Sequence, residues 1–471
     1  MYAARGIVTS RNYRETVEFA SGDSRGSFVY TMAGRSWSVA YDDGIYRTMR
    51  GVVRSYSWLQ DENGIVVAGQ GYIGASGPDT GRPAPPPLGI VMRVSTPVDA
   101  WLVSALDGNG FGRKMYVDPQ TYLPTRVETI TVNGAIVTTY DDYRNESGQN
   151  FPHHWKIDDG VSRVVTDYRL LRVEQLPVDQ TEIEWPKTSR ELVEFPEGQK
   201  EVELPANFVG SRIYVRLFIG NRGLDFVLDT GAAGIVMDRA VADQLGLKTT
   251  GQHSVVVAQR TTAGLATVPE MRVGPLFMHN VVVQTVPASY IDFSHATRSV
   301  GLLGFDFLAT LGVTIDYQRK TVAVCRTNDF MPPDGSDTLD ARMLTRQPVV
   351  DLRINDILSH GFILDTGAPG QALLFDQFFR THPDALKYFT ARGQTEARGI
   401  GGSFEQESYR VHEVQLGSVV FRDYTLNRVL SRSSYNVGVD GLVGADFLSY
   451  FTVGLDYANQ RVYLKRNDRR F

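Results

Sequence analysis

The sequence predicts a mostly β protein in which an antiparallel β domain precedes two similar β-lobes. Short alternating apolar runs, broken by turn dipeptides, fill residues 1–180 and are typical of half-buried strands. The tripeptide Asp-Thr-Gly occurs twice, at 229–231 and at 365–367, and each copy ends an apolar run. The segments after the two tripeptides also repeat, in units too long for a solenoid. The last two-thirds of the chain is therefore predicted to be a duplicated small domain.

Turn signals support antiparallel hairpins within residues 1–180. Asn133-Gly134 lies between two alternating runs, and Asn63-Gly64 follows another apolar run. Asn-Gly between such runs is a strong signal for a tight hairpin, because both residues tolerate the positive φ that the turn requires. We therefore expect consecutive strands of this block to pair with each other.

The middle of the N-terminal block resembles a known envelope fold. Segments 115–124, 140–143 and 150–152 follow one another as in the curved half-barrel of outer-membrane lipoprotein-sorting proteins, although the helix usually found at the start of that fold is absent. The resemblance implies a curved antiparallel β-sheet and a bacterial setting in the periplasm or cell envelope. It also implies contact with a lipid or an envelope protein.

Two proline-punctuated stretches divide the chain. Residues 181–204 are acidic and contain Pro186 and Pro196, and residues 331–345 begin with a Met-Pro-Pro-Asp-Gly turn sequence. Both compositions are typical of linkers. The predicted domains are the N-terminal half-barrel-like domain over 1–180, a first lobe over 205–330 and a second lobe over 346–471.

Composition excludes several classes of function. A formal net charge of −5 without any Lys/Arg run argues against nucleic acid as a partner. The single cysteine, Cys325, permits neither an intrachain disulfide nor a thiolate metal site, and we expect no metal and no cofactor. No apolar run approaches the roughly 18 residues of a membrane-spanning helix. The start of the chain lacks the apolar core of a signal peptide, so we expect either a cytosolic protein or a trimmed form of an exported one.

The repeat extends well beyond the tripeptides. Segment 301–308, GLLGFDFL, is echoed by segment 441–448, GLVGADFL, and each is followed by an aspartate-tyrosine pair that begins at Asp316 or Asp456. The offsets are 365 − 229 = 136 between the tripeptides and 456 − 316 = 140 between these pairs. The difference indicates a small insertion in the second copy.

The two aspartates have the setting that acid–base hydrolysis requires. Each ends a hairpin strand and precedes a glycine that lets the backbone turn sharply, and a helix is expected further on, over 239–245 and over 374–379. Two neighbouring carboxylates cannot both ionise cheaply, so they share one proton. The ionised member of the pair Asp229 and Asp365 then takes a proton from water while the other protonates the substrate carbonyl. This chemistry hydrolyses an amide without a covalent intermediate or a metal.

The combined pattern resembles the retropepsin-like aspartic proteases, in two fused copies over residues 205–467. An apolar run, Asp-Thr-Gly-Ala, a helix, a glycine-containing hairpin and Gly-Leu-x-Gly-x-Asp-Phe-Leu follow in this order in both copies. The resemblance implies two pepsin- or retropepsin-like closed β-lobes that form a pseudo-dimer within a monomer. The active site would lie between the lobes, take a peptide or protein substrate, and use Asp229 and Asp365 as the catalytic pair. The supporting loops would contain Thr230, Gly231, Ala232, Thr366, Gly367 and Ala368, and a substrate-covering flap would contain Gly399, Ile400, Gly401 and Gly402.

Two details of the loops lead to further expectations. The resemblance implies that the hydroxyls of Thr230 and Thr366 reach the backbone of the opposite lobe. Alanine follows each Asp-Thr-Gly, so no hydroxyl at that position favours the charged carboxylate. We therefore expect a weakly acidic optimum for catalysis, about pH 5–6, above the range of pepsin.

Other interpretations stay open. The two tripeptides could form purely structural turns, or the lobes could belong to a non-catalytic peptide- or lipid-binding protein of the cell envelope with a degenerate protease fold. Asp306 and Asp446 also occur in repeated positions. Their place before Phe-Leu predicts that they start helices or brace loops rather than catalyse.

Overall fold

The computed structural model divides the chain into two compact units, Met1–Lys187 and Thr188–Phe471. The described residues are 12–22, 24–54, 56–70, 90–106, 112–131, 134–160, 164–256, 260–287, 299–344, 346–399, 402–430 and 439–467. Strands dominate both units, as the sequence predicts. Among these residues, no helix combines the length and the apolar character that crossing a bilayer requires.

The first unit is built on a curved antiparallel sheet. Its strands are β1 (Asn12–Ser21), β2 (Ser24–Ala33), β3 (Ser36–Asp42), β4 (Arg47–Val53), β5 (Tyr56–Gln60), β6 (Val66–Gln70), β7 (Ile90–Val94), β8 (Ala100–Leu106), β9 (Gly112–Val117), β10 (Pro124–Thr131), β11 (Gly134–Glu146), β12 (Gln149–Asp158) and β13 (Val165–Gln175). They lie in the order β6-β5-β4-β3-β2-β1-β13-β12-β11-β10-β9-β8-β7. Most neighbours in the sheet are therefore also neighbours in the chain, which is the arrangement that hairpin turns produce.

Both strand pairs expected from Asn-Gly signals form. Strands β10 and β11 pair antiparallel up to Thr131 and Gly134, although Asn133 itself lies outside the described residues. Strands β5 and β6 also pair, but Gln60 lies opposite Val66, so Asn63 and Gly64 belong to a loop over 61–65 and not to the tight turn expected.

One face of this sheet carries an aromatic core. Side chains alternate between the faces of a strand, so that Tyr13 and Val17 of β1 are buried while Glu18 is exposed. The rings of Trp155 and Tyr168 stack with 5.4 Å between centroids. Other buried members of this core are Phe28, Tyr30, Trp37, Val39, Met115, Val117, Val127, Tyr140, Phe151 and Leu170.

The second unit contains the remaining elements. In chain order they are β14 (Val193–Glu194), β15 (Glu201–Glu203), β16 (Ala206–Val209), β17 (Arg212–Ile219), β18 (Arg222–Leu228), β19 (Ile235–Asp238), α1 (Arg239–Gln244), β20 (Thr250–Val256), β21 (Arg260–Val273), β22 (Leu276–Val286), β23 (Gly301–Leu303), α2 (Phe305–Leu308), β24 (Leu311–Asp316), β25 (Thr321–Arg326), β26 (Asp337–Asp340), β27 (Arg342–Leu344), β28 (Gln347–Ile354), β29 (Ile357–Asp365), β30 (Ala372–Leu374), α3 (Asp376–Thr381), β31 (Thr390–Gly399), β32 (Gly402–Leu416), β33 (Val419–Val429), β34 (Gly441–Gly444), α4 (Ala445–Leu448), β35 (Phe451–Asp456) and β36 (Arg461–Arg466). Short 3₁₀ turns occur at Thr327–Asp329 and Ala385–Tyr388.

Two closed rings of strands with the same order form the body of this unit. The first ring, the first lobe below, runs β17-β18-β23-β19-β22-β21 and closes where β21 pairs with β17. The second ring, the second lobe below, runs β28-β29-β34-β30-β33-β32 and closes where β32 pairs with β28. In both rings the strand that leads into Asp-Thr-Gly lies parallel to a short strand from the other repeated segment: β18 lies parallel to β23, and β29 to β34.

A six-stranded sheet joins the lobes. Its order is β15-β25-β24-β35-β36-β26. The central strands β24 and β35 each follow one of the two similar segments, 301–308 and 441–448, and pair antiparallel, with Gly312 opposite Asp456 and Asp316 opposite Thr452. Val313 and Val453 of these strands are fully buried. The pairing therefore ties the two lobes together through backbone hydrogen bonds and apolar contact.

The segments between the predicted domains contribute strands to these sheets. Strand β14 pairs with β22, β15 with β25, and β26 with β36, because each has an apolar residue to bury and an open strand edge beside it. The helix after the second tripeptide begins at Asp376, two residues later than 374. The helix starts later because Leu373 and Leu374 belong to strand β30, which pairs with β34 and β33.

Candidate active site

Each Asp-Thr-Gly loop begins where a buried strand ends. In β18 the side chains of Phe226, Val227 and Leu228 are fully buried, and the strand lies parallel to β23. The amide of Asp229 donates to the carbonyl of Leu303 at 3.1 Å. Strands β29 and β34 repeat the parallel arrangement in the second lobe. The apolar runs in the sequence thus fix both aspartates by burial and by strand pairing.

The two loops are bonded to each other through their threonines. The hydroxyl of Thr230 donates to the carbonyl of Leu364 at 2.6 Å and accepts from the amide of Thr366 at 3.0 Å. The hydroxyl of Thr366 donates to the carbonyl of Leu228 at 2.8 Å and accepts from the amide of Thr230 at 3.1 Å. Both threonines are buried, so water does not compete for these bonds. Each hydroxyl reaches the backbone of the opposite lobe, as the resemblance implies.

The carboxyl groups of Asp229 and Asp365 lie together at the junction of the lobes and hydrogen-bond to each other. A Cβ on Gly231 would overlap the carboxyl of Asp365, and a Cβ on Gly367 would overlap the carboxyl of Asp229. Backbone amides hold one oxygen of each carboxyl: Gly231 donates to Asp229 Oδ1 at 2.8 Å, while Gly367 and Ala368 donate to Asp365 Oδ1 at 2.9 and 2.8 Å. Each glycine is therefore required to make room for the opposite carboxyl.

Burial raises the pKa of both carboxyl groups. For Asp229, desolvation has the largest effect, and the charge of Asp365 together with the hydrogen bond to it raises the pKa further, well above its ordinary value. For Asp365, desolvation also raises the pKa, but the amides of Ala368 and Gly367, the hydrogen bond from Asp229 and the positive charge of Arg212 oppose the rise. The raised pKa values favour a singly ionised pair, in which the two carboxyl groups hold one proton between them.

Asp306 and Asp446 brace the loops and lie outside the pair. Asp306 is in the first turn of α2 and accepts from the amide of Ile235 at 2.8 Å. Asp446 is in the first turn of α4, accepts from the hydroxyl of Ser211 in the first lobe, and donates its amide to the carbonyl of Gly370 at 3.0 Å. These contacts confirm the helix-starting and loop-bracing roles expected from the sequence.

The expected flap is described only in part. Gly399 and Gly402 pair with each other at the end of the hairpin formed by β31 and β32. Ile400 and Gly401, which would form its tip, lie outside the described residues. The assignment of this hairpin as a flap stays a prediction.

Several groups near the pair escaped prediction from the sequence. The side-chain amide of Gln347 donates to the carbonyl of Gly231 in the other lobe, and the charge of Arg212 acts on Asp365. Arg212 is the first residue of β17 and Gln347 the first residue of β28, which occupy equivalent places in the two rings. Their sequence separations from the aspartate of their own lobe nearly agree, 229 − 212 = 17 and 365 − 347 = 18 residues. A search for polar residues at matching offsets would have found them.

Comparison with known proteins bears on the first lobe. Residues 215–307, from β17 into α2, match the model of an aspartyl protease family. The match includes the first Asp-Thr-Gly and most of the motif at 301–308, so the first lobe is similar to an aspartyl protease domain. A search of curated proteins finds no match.

A comparison with solved structures concerns the overall fold. A LolA superfamily protein from Nitrosomonas europaea is similar at 13% sequence identity, over 37% of this chain and 91% of that chain, with a TM-score of 0.29. At that TM-score the half-barrel interpretation of residues 1–180 stays a prediction.

Proposed function

We propose that this protein is an aspartic endopeptidase that hydrolyses peptide bonds with a water molecule activated between Asp229 and Asp365. The observation that carries the proposal is the hydrogen-bonded pair of buried carboxyl groups at the junction of the lobes. The family match of residues 215–307 supports this chemistry. The equal strand order of the two closed rings supports a retropepsin-like pseudo-dimer within one chain.

The two aspartates divide the acid–base work. In the singly ionised pair one aspartate is the base and the other holds the shared proton, and we propose Asp365 for the first role and Asp229 for the second. Asp365 takes a proton from water as the water oxygen attacks the carbonyl carbon, and Asp229 gives its proton to the carbonyl oxygen. In the gem-diol that results, Asp365 protonates the amide nitrogen. The C–N bond then breaks while Asp229 regains a proton from the diol.

The cross-bonded threonines keep this pair rigid. Catalysis gains from groups that already hold their reactive positions, since no reorganisation is then required in the transition state. Thr230 and Thr366 tie each loop to the strand that leads into the opposite loop. A fixed separation between the carboxyl groups follows, which suits a single bridging water.

The experiment is cleavage of a mixed peptide library across pH by the full-length protein. Asp229→Asn and Asp365→Asn keep the side-chain shape and remove the acid, and each should lower kcat/KM by about 10²–10⁴-fold. The matched control is Asp225→Asn in β18, the strand that leads into Asp229. Asp225 is half-buried and forms an ion pair with Arg216 at 2.7 Å, and its replacement should leave cleavage near the wild-type rate.

The outcomes separate the two functional hypotheses. Full activity in either folded dyad variant would end the proposal. A wild-type protein that binds library peptides without cleaving them would favour the non-catalytic peptide-binding alternative.

A further inference from the structure

The side chain of Gln347 reaches from the second lobe to the first catalytic loop. Its amide nitrogen, Nε2, donates to the carbonyl of Gly231, 116 residues away in the chain. Gln347 is the first residue of β28 and pairs with Leu344 across the hairpin of β27 and β28. Leu344 and Val349 of this hairpin belong to one buried core cluster. The donor is therefore attached to a strand whose own position is fixed.

The peptide group that accepts this bond leads directly to Asp229. The carbonyl of Gly231 and the N–H of Ala232 belong to a single planar peptide group. The N–H of Ala232 donates to the main-chain carbonyl of Asp229 at 3.2 Å. The N–H of Gly231 donates to the carboxylate oxygen Oδ1 of Asp229 at 2.8 Å. Gln347 thus holds one end of a short series of bonds, and the catalytic carboxyl is at the other end.

Gly231 is a residue that requires such a contact from outside the loop. A Cβ at this position would overlap the carboxyl of Asp365, so the site demands glycine. Glycine has the least restricted backbone of all residues, and the peptide group that follows it can rotate at little cost. A rotation of the peptide between Gly231 and Ala232 would displace its carbonyl and its N–H together. The bond from Gln347 opposes that rotation.

The second loop is held to its aspartate in a more direct way. There the amides of Gly367 and Ala368 both donate to Asp365 Oδ1, at 2.9 and 2.8 Å. In the first loop the amide of Ala232 instead bonds the main chain of Asp229. The first loop therefore depends more on an external donor than the second loop does.

We propose that Gln347 is a positioning residue of the active site, which fixes the peptide between Gly231 and Ala232 so that the first loop keeps its geometry around Asp229. The inference rests on the proposed function, because it assigns Gln347 a task in the same acid–base pair. Groups that already hold their reactive positions need no reorganisation in the transition state. Because the bond begins in the second lobe and ends in the first, it makes the geometry of one loop depend on the correct placement of the other lobe.

The first test compares the kinetics of full-length wild type and Gln347→Met. Methionine has nearly the length and shape of glutamine but no N–H donor. We expect kcat to fall by about 10-fold, the effect of one lost hydrogen bond. KM should stay within about twofold, because the bond lies inside the protein and not between protein and substrate. The acid limb of the pH profile should move to higher pH, since a loop amide that leaves Asp229 no longer favours its charged form.

The control is Gln415→Met in β32 of the same lobe. The Nε2 atom of Gln415 donates to the carbonyl of Gly417 at 3.0 Å, and Gln415 is half-buried like Gln347. The two substitutions therefore remove the same kind of bond, but that of Gln415 stays within one lobe. Its kcat, KM and pH profile should equal those of the wild type. A purely structural role of Gln347 predicts the same result for Gln347→Met, with a loss of stability alone, and that result would overturn the inference.

A second test needs no peptide cleavage. Hydrogen exchange of the full-length protein is followed in the two loop segments, 229–233 and 365–369. Gln347→Met should accelerate exchange in the first segment more than in the second, because the first contains the peptide group that loses its bond. Gln415→Met should change neither segment. Equal exchange of the first segment in the wild type and in Gln347→Met would contradict the inference.

The two tests distinguish the possible failures. If the wild type cleaves no peptide, the proposed function fails, and hydrogen exchange alone decides whether Gln347 holds the first loop. If the wild type cleaves peptides and Gln347→Met does so with the same kcat and pH profile, the proposed function stands and the role of Gln347 is refuted.

Discussion

Replacement of Thr230 by valine removes one of the two hydroxyls that join the catalytic loops. Valine keeps the shape of threonine, but the carbonyl of Leu364 loses its donor and the amide of Thr366 loses its acceptor. Each buried backbone group left unpaired costs about 1–3 kcal/mol. We therefore expect the free energy of unfolding of the second unit to fall by about 2–6 kcal/mol. Thr230→Ser keeps both bonds and removes one methyl group, at a cost of about 1 kcal/mol.

The distribution of tryptophan makes this prediction measurable in the full-length protein. The five tryptophans of the chain are at 37, 58, 101, 155 and 185, all within the first unit. Tryptophan fluorescence should therefore show an unchanged transition in Thr230→Val. Hydrogen exchange in segments 226–232 and 362–368 should accelerate strongly, and kcat should fall because the carboxyl pair loses its fixed geometry. Equal exchange protection in the valine and serine variants would refute the reasoning.

Three further predictions follow from the same geometry and from the first unit. Burial raises the pKa of both Asp229 and Asp365, so the rate of cleavage should peak at about pH 5–6. The rate should fall at lower pH, where the pair gains a second proton, and at higher pH, where it loses the shared proton. A peak below about pH 3.5 would contradict this prediction. Gly367→Ala places a methyl group in the space of the Asp229 carboxyl and should abolish cleavage. In the control Gly223→Ala the new methyl group meets only side-chain atoms, at 3.2 Å or more, and most activity should remain. Equal activity of the two variants would contradict the steric argument. Burial disfavours the cation of His154, yet the carboxylates bonded to both ring nitrogens raise its pKa, so the first unit should lose stability as pH rises from about 6.5 through that raised pKa. His154→Gln should flatten the pH dependence of the unfolding midpoint measured by tryptophan fluorescence, and an unchanged slope would count against the ion pair.

Local chemistry in the sequence was sufficient for the strands and turns that carry the site. Apolar runs that end in Asp-Thr-Gly predicted buried strands with an aspartate at the end, since strand burial and glycine turns depend on neighbouring residues. One prediction failed because of a contact between residues far apart in the chain. The strand over Ala372–Leu374 displaced the start of the second helix to Asp376, because an open position beside β34 outweighed the helical preference of Leu373 and Leu374.

By itself the sequence determined that two equivalent acidic loops exist, because the repeat specifies the same local conformation twice. Only the tertiary structure decided that the carboxyl groups of Asp229 and Asp365 meet, and which groups surround them. Gln347 reaches the carbonyl of Gly231, and Ser211 reaches the carboxyl of Asp446, each from the opposite lobe. Such contacts arise when two closed rings pack together, so they depend on surfaces assembled from residues far apart in the chain and leave no periodic signal in the sequence.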